Sequence, residues 1–421
     1  MHDDNAASLR LTANRIEKAV SDLFSVYDVT LGSREERQAI RLRGYLQAPA
    51  ADAYPQIAAR LRELGYTAIL SRDEEAGLDE LLAMPGTLPE AEQPRYWVHA
   101  LLFGATILTT LYVGAGMSDL RPPDDMWWPL FNLWHGWPFA LSLLSILLAH
   151  EMGHYIVSRR NGVAASLPYF IPLPLPDFMG NVLGTLGAVI TMKGTMPNRR
   201  VMLDVGVAGP LTGMVVAVPV LVLGLSLSHV QPMPVDQAFL MEGNSLLYLL
   251  LKFAMFGRWL PSGGLDVFIH PVAFAGWAGL LVTSLNLIPA GQLDGGHVLY
   301  SLVGERAQAL RWPLIVGLGA LGLLVWPGWL LWAGIVYFFG QGHPPPLDSL
   351  TPLGTGRKIL AVLALLVFVL TFSPRPLWIV SPEDGNPFAC QGVLALVAGL
   401  AALLWLARRF LLRNLSGPGK D

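Results

Sequence analysis

The stretch FALSLLSILLAHEMGHYIVSRR, residues 139–160, decides the reading of this chain. It is apolar, and at about 1.5 Å per residue it is long enough to cross a hydrocarbon layer of about 30 Å. Yet His150, Glu151 and His154 lie inside it, and Arg159 and Arg160 close it. Two imidazoles and a carboxyl are expensive at that depth unless they face a polar cavity or a partner. His150 and His154 stand four residues apart, so on a helix they share a face and can address one metal ion. Glu151 is turned by about 100° and can reach a water at that ion as a general base. So short a pattern also arises by chance. Its position within a membrane helix is what argues against chance here.

Outward from this stretch the chain offers further apolar runs. Candidate spans are 96–115, 138–158, 201–227, 266–288, 312–326, 328–341, 358–373 and 390–407. The fifth and sixth form one run broken at Trp326-Pro327-Gly328, a turn signal. Segment 244–260 is apolar but carries Lys252 and Arg258, and reads as interfacial or re-entrant. Eight spans with both termini inside place the basic clusters Arg159-Arg160, Lys193, Arg199-Arg200, Arg306-Arg311, Arg357-Lys358 and Arg408–Arg413 on one side. That is the side the loop-charge rule makes cytoplasmic. Trp127, Trp128, Trp134 and Trp137 crowd the loop before the second span, as an interfacial aromatic belt does.

Composition agrees. Of 421 residues, 53% are hydrophobic and 14% charged, against about 25% charged in soluble domains. This excludes a disordered chain, a secreted disulfide scaffold and an ordinary cytosolic enzyme. The single cysteine, Cys390, allows no intramolecular disulfide and no cysteine-rich metal site. A formal net charge of −3 gives no sign of nucleic-acid binding. Charge is uneven: residues 1–95 hold 27 of the 59 charged side chains. That asymmetry predicts a small soluble module followed by a membrane domain. FSVYDVTL (24–31), AIRLRGYL (39–46), TAIL (67–70) and the segment around Leu81–Met84 read as strands, and 51–64 as a helix stopped at Gly65. Leu88–Pro94 reads as the linker. The first residues have neither the apolar core of a signal peptide nor the basic, acid-poor character of a transit peptide.

A catalytic zinc usually takes three protein ligands and keeps a position for water. The fourth span ends in Asn286-Leu287-Ile288-Pro289-Ala290-Gly291-Gln292-Leu293-Asp294-Gly295-Gly296-His297. Asp294, followed by two glycines that allow close backbone approach, is the first candidate for the third ligand. His297 is the alternative, although a hydrogen-bonded histidine at a helix start accounts for it more simply. His2, His99, His135, His229, His270 and His343 show no ligand spacing and read as surface, interfacial or packing residues.

These residues resemble a family. HExxH in one span, with Asn-x-x-Pro and Leu-Asp-Gly in a later one, is similar to the site-2 protease family of intramembrane zinc metalloproteases. Gly184-Thr185-Leu186-Gly187-Ala188 resembles the GTFGA box of its bacterial and plastid branch, with Leu186 in place of Phe. Asp204 to Gly213 resembles the family's D-x-x-x-AGP-x-x-G span, and Gly342-His343-Pro344-Pro345 a loop beyond the core. The matches run from about 148 to 346. Ala290-Gly291 departs from many members and alters the loop.

The resemblance implies one zinc per chain on His150, His154 and Asp294, with Glu151 activating water. It implies that Asn286 donates to a developing oxyanion, an equal alternative being that it shapes the turn before Pro289. Asp204 reads as a structural hydrogen-bonding acid, and Gly209 and Gly213 as helix-packing residues. Residues 184–188 become a substrate-binding stretch. Val182–Met192 is apolar, β-branched and interrupted by glycine, and LPYFIPLPLPDFMG (167–180) is too rich in proline for a helix, so a re-entrant β-hairpin beside the metal is expected. The expected architecture is mainly α. A soluble α+β module (1–92) precedes a polytopic membrane domain (93–421, core about 136–300) with about eight spans. The expected activity is cleavage of transmembrane protein substrates in or near the lipid bilayer, in a bacterial inner membrane. The alternative is a catalytically silent scaffold or chaperone of the same fold.

Overall fold

A computed structural model describes residues 2–32, 39–73, 76–87, 95–122, 125–175, 182–193, 195–339 and 345–380. The expected linker at Leu88–Pro94, the eighth span with Cys390, the Arg408–Arg413 cluster and most of the Gly342–Pro345 stretch lie outside these residues.

The N-terminal region runs α1 (His2–Val20), β1 (Phe24–Leu31), β2 (Ile40–Leu46), α2 (Ala50–Glu63), β3 (Tyr66–Asp73) and β4 (Leu78–Pro85). The strands form one antiparallel sheet in the order β1-β2-β4-β3. The expected strands and helix are all present. Helix α1 was not expected, although Leu9, Ala13, Ile16 and Val20 follow a helical period. Ile16 and Val20 join Ile57 and Leu61 of α2 over Ile40, Leu42, Leu70 and Leu81, all buried, so both helices share one core with the sheet.

The rest is mainly helical. It runs α3 (Tyr96–Gly116), the short α4 (Trp128–Phe131), α5 (Trp137–Arg160), β5 (Ala164–Ala165), β6 (Tyr169–Pro172), β7 (Thr185–Val189), β8 (Met192–Lys193) and α6 (Arg199–Ser226). Then come β9 (His229–Pro232), β10 (Phe239–Glu242), α7 (Leu246–Phe256), β11 (Leu265–Phe268), α8 (Pro271–Asn286) and α9 (Asp294–Val303). Last are α10 (Arg311–Leu324), α11 (Gly328–Phe339), α12 (Thr355–Thr371) and β12 (Leu377–Val380).

Helices α5, α6 and α8 form the centre. Leu143, Ile146 and Leu147 of α5 meet Ala217 and Leu221 of α6 and Phe274, Trp277 and Leu280 of α8. Small residues set the spacing, as between membrane helices generally. A Cβ at Gly276 would stand 2.6 Å from Leu221 Cα, and one at Gly279 would stand 2.9 Å from Ile146. The outward faces stay apolar and exposed, among them Leu101, Leu141, Val215, Leu223 and Leu324.

Among the described residues, four runs are long and apolar enough to cross a membrane: Tyr96–Gly116, Leu133–Arg160, Arg199–Ser226 and Asp294–Leu324. Leu246–Phe256, Pro271–Asn286 and Gly328–Phe338 are shorter apolar helices. The span expected over 266–288 is truncated because residues 265–268 pair with β9 instead, and His270 caps the helix that follows. Residues 311–339 of the run expected over 312–341 form two helices that meet at the expected turn, with Gly322 of α10 against Leu330 of α11.

Candidate metal centre

Helix α5 delivers His150 and His154 one turn apart, and their Nε2 atoms lie 3.2 Å from each other. Asp294, the first residue of α9, brings Oδ2 to 3.2 Å from His154 Nε2 and 3.4 Å from His150 Nε2. Both histidines are buried, and their ring atoms and the carboxylate converge on one point. With zinc bonds of about 2.0–2.1 Å, a tetrahedral site has edges of about 3.3–3.4 Å. The triangle observed is one face of such a site. The chemistry of the donors agrees. His154 Nδ1 lies 2.8 Å from the Val205 carbonyl, which can only accept, so Nδ1 carries the proton and Nε2 of the neutral ring presents a lone pair. A lone pair facing a carboxylate and a second imidazole is satisfied by a cation. His150, His154 and Asp294 therefore fit zinc.

Helix α6 is shaped to the two rings. A Cβ on Gly209 would sit 2.0 Å from His154 Nε2, and one on Gly213 would sit 3.2 Å from His150 Nδ1. The four-residue glycine spacing, expected to serve helix packing, here forms the wall against which both imidazoles lie. Thr212 Oγ1 lies 3.0 Å from the Ala149 carbonyl and fixes α6 to α5 one residue before the first histidine. Asp204 meets Arg357 of α12 through two hydrogen bonds of 2.8 and 2.7 Å, the structural role expected of it. The carbonyl of Val205 and the face of Gly209 were not anticipated, although the four-residue spacing of Gly209 and Gly213 was visible.

Asn286, the last residue of α8, places Nδ2 at 3.1 Å from His150 Nε2. This sets its amide beside the ligand triangle. His297 is absent from the convergent set; its Cβ faces Gly206 of α6. Glu151 is buried at 6% exposure, next in sequence to the first histidine, with the backbone of Ile190 beside its carboxylate.

Ile190 directly follows β7, which pairs antiparallel with β6 in a two-stranded sheet. Gly184 enters it with φ 72°, and a Cβ there would stand 2.5 Å from the Thr109 carbonyl of α3, so only glycine lets the strand lie against that helix. Thr185 is buried, donates to the Ile171 carbonyl at 2.8 Å and accepts from the Gly187 amide at 3.0 Å. Leu186 is 68% exposed and Ala188 half-buried. Among the described residues no strand pairs with the second edge of β7. Of the other histidines, His99 contacts the Pro168 carbonyl at 3.1 Å and His270 caps α8; neither joins the centre.

Residues 138–313 match the family model described as Peptidase family M50. The chain is 34% identical to "Probable zinc metalloprotease EGY1, chloroplastic" of Arabidopsis thaliana, over 61% of this chain and 46% of that protein. It is 33% identical to the protein of the same name from Oryza sativa subsp. japonica, over 69% of this chain and 52% of that one. It is 27% identical to "Probable zinc metalloprotease EGY2, chloroplastic" of Arabidopsis thaliana, over 93% of this chain and 68% of that protein. The chain thus spans about half the length of the first two relatives. No solved structure matches it. These relatives are named as chloroplastic, and nothing in them supports the bacterial inner membrane expected from the sequence. His150, His154 and Asp294 all fall within the residues that match peptidase family M50, and the relatives that the chain resembles are named as plastid zinc metalloproteases.

Proposed function

We propose that this chain is an intramembrane zinc metalloprotease that hydrolyses peptide bonds of transmembrane protein substrates within or near the bilayer. The convergence of His150 Nε2, His154 Nε2 and Asp294 Oδ2, with Glu151 buried on the same helix, carries this reading. Zinc, when bound by those three residues, supplies Lewis-acid activation of water near neutral pH. Glu151 takes the proton of the attacking water and returns it to the leaving amide nitrogen. Asn286, whose amide lies at the edge of the ligand set, donates to the oxyanion that develops on the scissile carbonyl.

A transmembrane helix hides its peptide bonds in its own hydrogen bonds and must unwind before attack. Unwound backbone in a membrane needs new partners. The second edge of β7, with Gly184, Thr185, Leu186, Gly187 and Ala188, supplies them by strand addition. Ile190 links that edge to Glu151. The β6–β7 pair is in this reading a re-entrant hairpin. The membrane domain (93–421) has about eight spans, with the basic loops on one side and the N-terminal module (1–92) on that same side. A catalytically silent scaffold has no use for a desolvated ligand triangle and a buried glutamate beside it.

The test is zinc content per chain together with cleavage of a model transmembrane substrate, for native protein and Glu151→Gln. Zinc in both and cleavage only by the native protein supports the proposal. Equal cleavage by both overturns it.

A further inference from the structure

The N-terminal region is joined to the metal centre by a strap that neither the helices nor the motifs announce. In the N-terminal sheet β3 is an edge strand. Its outer edge is taken at Leu70 by residues 347–349, which lie far along the chain. The Leu70 amide donates to the Leu347 carbonyl at 2.7 Å, and the Ser349 amide donates to the Leu70 carbonyl at 3.0 Å. The opposite edge of the same segment pairs with residues 196–198. Leu347 and Asp348 donate to the carbonyls of Met196 and Pro197, both at 2.9 Å. Residue 348 is bridged in parallel to Leu70 on one side and to Asn198 on the other. Leu347 enters the N-terminal core, with Leu350 packed against it.

Asp348 anchors this strap. It is 1% exposed. Its carboxylate accepts from the amides of Leu350 at 2.9 Å and Thr351 at 3.0 Å and from the Thr351 hydroxyl. Among the described residues it has no cationic partner. These bonds hold a carboxylate in the interior and fix the strap's turn.

The far side of the strap reaches the site through one helix. Asn198 is the N-cap of α6, its Oδ1 accepting from the Val201 amide at 3.0 Å. Seven residues on, about 10 Å along the same helix, Val205 accepts from His154 Nδ1 at 2.8 Å. Gly209 and Gly213 follow against the two rings. The strap's continuation grips α6 twice more, through Arg200 Nε to the Pro352 carbonyl at 2.9 Å and through Arg357 to Asp204. The N-terminal sheet, the strap and the helix that orients His154 are thus one hydrogen-bonded series.

We propose that residues 347–349, anchored by Asp348, are the positioning element through which the N-terminal α+β region acts on the metal centre. A partner that shifts that region would act on His154 through α6. Asp348 is a positioning residue, since it touches neither ligand nor substrate. The inference rests on the zinc reading of the centre, and it needs no knowledge of the substrate.

The test uses the full chain in detergent and reads zinc affinity by chelator competition together with amide exchange. Asp348→Ala should raise exchange about tenfold or more at 66–73 and 347–351. It should also weaken zinc by about 10- to 100-fold, as loss of ligand support does. Asp348→Asn keeps an acceptor for both amides and should restore both readouts. If Asp348→Ala does not fold, Ser349→Pro, which removes both the amide and the hydroxyl bond from Ser349 to the Leu70 carbonyl, should reproduce the effect. Opening of the strap with zinc affinity within about twofold of native overturns the inference, and so does failure of both variants to open it. Glu151→Gln run in parallel should leave exchange and zinc unchanged while cleavage is lost. Cleavage by that variant would sink the protease reading and leave the strap standing.

Discussion

Gly209→Ala gives a sharp test of the metal centre, because one methyl group separates a passive helix from a displaced ligand. The new Cβ would stand 2.0 Å from His154 Nε2. Ordinary non-bonded contact is about 3.5 Å, so about 1.5 Å must be recovered. Neither side yields easily: Cβ is fixed to the α6 backbone, and the ring is held by the Val205 carbonyl of the same helix at 2.8 Å. Ligand distances in a metal site tolerate only about 0.2 Å. His154 is therefore lost as a ligand, which should weaken zinc by at least about 100-fold, the upper end of what losing only a group that supports a ligand costs, or about 2.7 kcal/mol. Gly213→Ala is the matched control. It lies on the same helix, but its Cβ would be 3.2 Å from His150 Nδ1, a gap closed by a few tenths of an ångström. Both changes favour the helix itself by about 1 kcal/mol, so helix loss cannot explain a difference. Zinc retained per chain against a graded series of chelators, with circular dichroism as the folding check, decides the matter. Native zinc affinity in Gly209→Ala, or equal loss in both variants, would refute the reasoning.

Further outcomes are expected. Glu151→Gln should lower cleavage by about 10²- to 10⁴-fold and keep zinc; a rate within about tenfold of native removes Glu151 as the base. Asp294→Ala should lose zinc and His297→Ala should keep it, since only Asp294 is in the convergent set; equal zinc contents in the two would contradict that. Proline at Ala188 should reduce cleavage about tenfold, the worth of a buried amide left without its bond, at unchanged zinc content, whereas proline at Ile190 also removes the amide beside Glu151; a proline scan of 184–192 with no effect would end the edge-strand idea. For topology, a cysteine at exposed Asn161 should react with impermeant reagents only from the side of the basic loops, whereas Ser158 and Ser301 are fully buried and report nothing. Labelling of position 161 from the other side would overturn the orientation.

What was legible in the sequence is what local chemistry fixes. The i, i+4 spacing of His150 and His154 makes them neighbours on any helix, and a helix with those residues in an apolar run needs a partner for them. Alternation and turn residues marked the four N-terminal strands, and Trp326-Pro327-Gly328 marked the break between α10 and α11. Helix α1 is equally legible in the apolar period of Leu9, Ala13, Ile16 and Val20. The tertiary structure alone decided the remainder. The span expected over 266–288 starts in Asp266-Val267-Phe268, but β9 claims residues 265–268 as a strand, and that pairing is made only in the folded chain. Asp294 and His297 were both chemically fit, and only the approach of α9 to α5 separates them. Gly209 reads as a packing glycine until the ring it faces is known. The strap at 347–349 is invisible in sequence for a related reason: it meets 196–198 and Leu70 mainly through backbone amides and carbonyls, which every residue carries, and Asp348 and Ser349 do not say which distant segments they will join.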